Sequence, residues 1–316
     1  MKKTLLWLLV AAFLFGVFFG GCGKKPEPVV VPVVEEIEEE EEIEDLTVRV
    51  QNVKPVAVVI NNHRAAWPQS GLQQASLVYE FLVEGGTTRY LAVFDRHFEE
   101  NFLVGPVRSL RPYFGEQARE YGGVIAHSGY SVSTQEMIKG MGLKQITSAE
   151  YLWRDSSRNA PHNLYTDISK LFKARGASDI TELEFEPVEL PGGYEEESNP
   201  VITYSASYKV SYKYDAENGE YLRFINGGPL TDRESGKQYS ASRVIVRTAK
   251  HTNVPGPDAL VDIDLSGSGD GFLYEAGRKY EIRWEKKDGK TGYYYKDGTR
   301  VETGWGNTWI QVVRSL

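Results

Sequence analysis

Most of the residues able to do chemistry sit in five short polar interruptions of an otherwise apolar first half. Asn61-Asn62-His63 closes one apolar run, and Glu80 and Glu84 precede Gly85-Gly86-Thr87-Thr88-Arg89. Arg108 and Arg111 flank Ser109-Leu110 ahead of Pro112, and His127-Ser128-Gly129 closes a second apolar run. Trp153 to Tyr165 (WRDSSRNAPHNLY) holds Arg154, Arg158, His162 and Asn163. The planar fork of arginine matches a phosphate or carboxylate two bonds at a time. Four arginines beside two histidines therefore point to an anionic ligand, with Asn62, Arg108, Arg111, Arg158 and Asn163 as the binding set. If there is catalysis, His162 or His127 is the candidate general base, and Glu80 either acts as acid or base or orients an arginine. Ser128 follows His127 directly, and strand neighbours point to opposite faces, so the two make no Ser–His pair.

The elements that must hold these groups read as follows. PVAVVIN (55–61) is a continuous apolar run, the mark of a buried strand. SGLQQASLVYEFLVE (70–84) opens on a serine and places Leu72, Ala75, Val78, Tyr79 and Leu82 at helical spacing. That predicts a helix, with Glu80 and Glu84 one turn apart. TRYLAVF (88–94) reads as strand, RPYFGEQAREY (111–121) as helix with Pro112 in its first turn, and GGVIAHSG (122–129) as strand. SVSTQEMIKGMG forms a helix ending at glycine, and ISKLFKARG (168–176) follows. In an open α/β sheet the loops at strand ends form the ligand crevice, where Asn62, Arg108, Arg111 and His127 fall. After Pro191 the pattern changes to period-two alternation, rich in aromatic and β-branched residues, with turns at Asp288-Gly289 and Asp297-Gly298. The expected fold is an α/β domain over 51–190, a mixed sheet with flanking helices, plus a smaller, mostly antiparallel β-rich domain over 191–316. Whether the second is separate or extends the first sheet stays open.

No GxSxG, HExxH, Walker or SxxK motif is present, and no clustered carboxylates give a histidine site metal-binding spacing, so neither a cofactor nor a metal is expected. Net charge is −8, but it is uneven. Residues 23–54 carry ten acidic and four basic side chains, leaving a mildly acidic body with no basic face for nucleic acid.

At the N-terminus Lys2 and Lys3 precede an apolar run from Leu5 to Phe19, which is closed by Gly20-Gly21-Cys22. A run of about 15 residues is short for a membrane span and fits a signal-peptide core. Cys22 is the one cysteine of the chain, so no disulfide framework exists. Small residues ahead of a lone cysteine resemble the bacterial lipobox, with Phe19 where leucine usually stands. Residues 1–21 are then a lipoprotein signal peptide, Cys22 carries the lipid, and residues 22–50 form an acidic disordered tether. This places the folded body on the extracytoplasmic face of a membrane.

PVAVVINNHRAAWPQSGLQQASLVYEFLVEGGTTRYLAVF, GPVRSLRPYF, WRDSSRNAPHNLYT and GNTWIQVV together resemble the YerB-like bacterial lipoproteins, a domain family of unknown function, over residues 50 to 316. The resemblance implies an N-terminal α/β domain joined to a smaller β-rich domain in a lipid-anchored protein, and it implies no established reaction. The acidic tether is longer and more charged than the resemblance leads one to expect. Three readings of function follow. One is a binding module for an anionic envelope ligand, such as a cell-wall fragment or a lipid-linked phosphate. The second is a hydrolase or transferase on such a substrate, so whether the chain is an enzyme stays open. The third is a scaffold for another envelope protein.

Overall fold

The structure, a computed structural model, describes residues 47–316 apart from 187–188, 198 and 256–259. The signal peptide, Cys22 and most of the tether lie outside the described residues. The tether expected to run to residue 50 gives way earlier, because the first strand already starts at Val48.

In chain order the first half comprises β1 (Val48–Asn61), β2 (Leu77–Leu82), β3 (Thr88–Arg96), β4 (Leu103–Val104), α1 (Pro112–Arg119), β5 (Val124–Ala126), α2 (Val132–Ile138), β6 (Lys144–Ile146), β7 (Trp153–Arg154), β8 (Leu164–Asp167), α3 (Ile168–Arg175) and β9 (Thr181–Phe185). The second half is all strand: β10 (Val201–Ser205), β11 (Tyr208–Asp215), β12 (Glu220–Ile225), β13 (Gly228–Pro229), β14 (Ser240–Ala241), β15 (Arg243–Thr248), β16 (Lys250–Asn253), β17 (Val261–Asp264), β18 (Ser268–Glu275), β19 (Arg278–Lys287), β20 (Lys290–Tyr295) and β21 (Thr308–Val313). The protein is therefore β-rich, with a mixed sheet and three α-helices of no more than eight residues among the described residues. Flanking helices are a smaller part of the architecture than the sequence suggested.

One eleven-stranded sheet runs β20-β19-β18-β15-β21-β2-β3-β1-β5-β6, with β9 paired to the start of β1. Its centre joins the two halves. β2 pairs parallel with β21, so Glu80 lies opposite Gln311, and antiparallel with β3, so Glu80 also lies opposite Tyr90. The second half thus extends the first sheet. It also folds a five-stranded sheet of β10–β14 over one face. That face buries Val58, Ile60, Val78 and Trp309 against Val210, Tyr212 and Tyr221. The other face buries Val59, Tyr79, Phe81 and Ile310 against Tyr113 and Phe114 of α1.

The helix expected over 70–84 is not there. Leu72–Gln74 is a single 3-10 turn, and Leu77–Leu82 is a strand with all six residues buried. A central strand covered on both faces has no polar side to show, so its apolar run fits a helical period as readily as a strand. Glu80 and Glu84 are consequently not neighbours on a helix. Glu80 points from β2 into the interface between sheets, and Glu84 lies in the turn beyond it.

Candidate functional site

Glu80 has no exposed surface, and its partner is Arg223 of β12, equally buried, at 2.6 Å. Thr88 Oγ1 at 2.6 Å and Tyr208 OH at 2.8 Å also donate to the carboxylate, and Asn62 Nδ2 does so at 3.3 Å. The Arg223 guanidinium lies 4.3 Å from the Trp309 ring and between Tyr90 and Tyr212, which it also meets as a hydrogen-bond donor at Tyr212. A buried charge is tolerable only when paired and hydrogen-bonded, and this one is both. Burial works against the Arg223 charge, yet Glu80 and the surrounding tyrosine hydroxyls outweigh it and hold its pKa above the usual arginine value. Glu80 therefore orients an arginine from the second half rather than any of those in the first.

Asn62 belongs to this network. Its Oδ1 accepts Trp67 Nε1 at 2.8 Å and Gln69 Nε2 at 3.0 Å. Its neighbour Asn61 faces the other way. Asn61 Oδ1 accepts the His63 amide at 3.1 Å, which turns Asn61 Nδ2 onto His162 Nδ1 at 2.7 Å. Because Nδ1 accepts, neutral His162 carries its proton on Nε2 and presents a donor there. The rings of His63 and His162 stack at 4.8 Å. Burial, His63, Arg108 and Arg158 together push the His162 pKa below its ordinary 6.5.

The segment carrying Arg108 is laid in place by the backbone. Asn61 N donates to Pro106 O at 2.8 Å, Val107 N to Leu164 O at 2.6 Å, and Arg108 N to Val59 O at 2.8 Å. The Arg108 side chain is half-buried and has no hydrogen bond or ion pair among the described residues. Burial and the nearby Arg111 lower its pKa. Arg111 is ion-paired with Glu84 and donates to Leu110 O at 2.7 Å. Arg89 lies 3.5 Å from the same carboxylate, and its pKa falls to about 10 through burial and the charge of Arg111. Two guanidiniums thus share one carboxylate, and Arg108 lies near enough to feel the charges of Arg111 and Glu84.

The remaining candidates are engaged inside the fold. Arg158 grips the 65–68 loop, donating to Pro68 O at 2.8 Å and Trp67 O at 3.1 Å, and to Tyr165 OH at 2.6 Å. Asn163 accepts Arg154 Nη1 at 2.7 Å and donates to the carbonyls of Asp155 and Arg158. His127 is fully buried, with Gly129 O at 3.2 Å from Nδ1 and Gln145 Oε1 at 2.9 Å from Nε2. Burial lowers its pKa, partly offset by those two bonds. Of the expected set, Arg108 lies near enough to both Arg111 and His162 for their charges to act on one another, while Glu80, Asn62 and His127 are buried within the protein. Five cavities among the described residues have walls that include none of Arg108, Arg111 and His162.

Two residues that matter here escaped the sequence reading. Nothing in the spacing of His63 announces its stack on His162. Arg223 did leave a signal: in EYLRFI the buried positions alternate as Tyr221, Arg223 and Ile225, so a charge occupies an inward strand position. Among the described residues no three His, Cys, Asp or Glu side chains come together as metal ligands, and no helix is long and apolar enough to cross a membrane.

The two halves match two family descriptions, "Protein of unknown function (DUF3048) N-terminal domain" over residues 44–181 and the DUF3048 C-terminal domain over 201–310. The chain belongs to the DUF3048 family, the YerB-like group its motifs resemble. It is 32% identical over 280 residues to the Bacillus subtilis protein named "Putative lipoprotein YerB", covering 85% of this chain and 83% of that one. The crystal structure of the YerB protein from Bacillus subtilis matches with a TM-score of 0.72 at 31% identity, over 84% of this chain and 92% of that one.

Proposed function

We propose that this is a lipid-anchored extracytoplasmic protein whose folded body binds an anionic envelope ligand across the surface formed by Arg108, Arg111 and His162. The observation that carries the reading is the charge imbalance: Arg89 and Arg111 share the single carboxylate of Glu84, and the half-exposed Arg108 near them is left without a partner among the described residues. Guanidiniums partly withdrawn from water gain most from an anion that completes their hydrogen bonds. Because these residues line none of those five cavities, an extended ligand such as a cell-wall fragment suits them better than a small enclosed one.

Binding is favoured over hydrolysis by the tautomer of His162. With Nδ1 occupied by Asn61 and the proton on Nε2, the neutral ring offers a donor to an anion and no free lone pair to a water. The lipid anchor rests on Cys22 and on the name of the YerB relative.

Calorimetric titration of the full chain with purified phosphate-bearing wall fragments tests the reading. Arg108→Ala is expected to weaken binding by about ten-fold or more, as for loss of one charge-assisted hydrogen-bonding group worth ~1.5–3 kcal/mol. Raising the salt concentration weakens the wild-type interaction further. Unchanged affinity in a folded Arg108→Ala variant contradicts the reading.

A further inference from the structure

The largest of the described cavities lies on the opposite chemistry from the arginine surface. It has a volume of about 990 Å³ and sits where β1 begins, with Val48 in its wall. That size falls in the range of about 300–1,000 Å³ usual for organic ligands. Its walls combine aromatic rings with carboxylates. Phe185, Tyr214 and Trp305 line it, together with six acidic side chains that include Glu220, Asp297 and Glu302, against Arg300 as the one basic residue of the lining.

The rings are set by close packing. A Cβ on Gly304 would lie 2.5 Å from Phe185 Cε1, so only glycine lets that ring pack against the backbone there. Gly277, at φ +76°, does the same for Tyr214. Behind the wall, Arg243 stacks at 4.2 Å on Trp305 and is neutralised by Glu275 at 2.7 Å. That pair leaves the floor satisfied and the rim negative. Glu220 makes no hydrogen bond or ion pair through its carboxylate among the described residues, and Asp297 is held by the Thr299 amide at 2.8 Å.

We propose that this cavity binds an organic ammonium group on an apolar body, the aromatic walls taking the body and the rim carboxylates the charge. Ring faces attract cations and exposed apolar stems, and acidic side chains at the rim select positive over neutral or negative ligands. The same chemistry is available from a free amine or from a lysine side chain of a partner peptide.

Titration calorimetry of the full chain with benzylammonium, with benzyl alcohol and with the acetylated, amidated peptide Val-Lys-Val separates these. Benzylammonium is expected to bind about ten-fold more tightly than benzyl alcohol, from a cation–π contact and an ion pair that the alcohol lacks. The double variant Glu220→Gln with Asp297→Asn, both at the solvent-facing rim, should cut the ammonium affinity by about five-fold and leave the alcohol unchanged. Arg108→Ala should leave both unchanged, which keeps this site separate from the arginine surface. A stronger response to the peptide assigns the cation to a protein partner, and a stronger response to benzylammonium assigns it to a small amine. Equal affinities for ammonium and alcohol, or a double variant that binds benzylammonium as the wild type does, overturns the proposal.

Discussion

Glu80 and Arg223 are 143 residues apart in the chain and 2.6 Å apart in the fold, with neither side chain exposed. Removing one member of such a pair strands the other charge in a medium that cannot solvate it. Arg223→Ala is therefore expected to lower unfolding free energy by ~3–5 kcal/mol, read from the urea midpoint, while Glu80→Leu combined with Arg223→Met costs less than that. The histidines add a pH dependence. Burial lowers the pKa of His127, His162 and His251 in the folded chain below the usual 6.5. The unfolded chain then binds more protons, so the stabilisation is complete above about pH 6.5 and is lost as the pH falls through the folded values. Melting temperature should decline below that point, and His127→Gln should flatten the decline. The arginine pair also marks the limit of sequence reading at this scale. A charge at an inward strand position announces that a partner is needed, but its identity depends on which strand lands opposite, and that is settled by tertiary pairing.

Among elements, strands β1 and β3 and helices α1 and α2 were legible, because continuous apolar runs, Pro112 in a first turn and the glycine that closes SVSTQEMIKGMG are local signals. β2 was not, because a strand buried on both faces carries no alternation. The loops that build the candidate site were legible as polar, and their mutual placement was not. The clearest case is the 153–165 loop, which is pinned from the second half: Arg233 donates to Asp155 at 2.6 Å and to Ser157 Oγ at 2.8 Å. Hydrogen bonds from Arg233 and Ser157 hold Asp155 at a pKa of about 2. Arg233→Ala should free this loop, weakening ligand binding by about three- to ten-fold through lost positioning of His162, while the melting temperature shifts little because the pair is partly exposed and screened by solvent. Titration and thermal unfolding of the same variant check both parts.

At the scale of the whole molecule, the parallel pairing of β2 and β15 with β21 makes the last strand of the chain the seam of the central sheet. The first half cannot complete its sheet without the second, and the loop carrying His162 depends on the second half separately, through Arg233. The change of pattern near residue 191 was visible in the sequence, but alternation alone does not say which sheet a strand joins. The proposed lipid anchor carries a prediction of its own. Cys22→Ala is expected to abolish incorporation of radiolabelled palmitate and release the protein from the membrane fraction, with the body still folded.

The most direct test of the account is a structure of the protein crystallised with a phosphate-bearing wall fragment. The account predicts an anionic group hydrogen-bonded to the Arg108 guanidinium, with His162 Nε2 as a second donor and Arg111 still paired with Glu84. A fragment bound elsewhere, or an Arg108 that stays unliganded at saturating concentration, would contradict it.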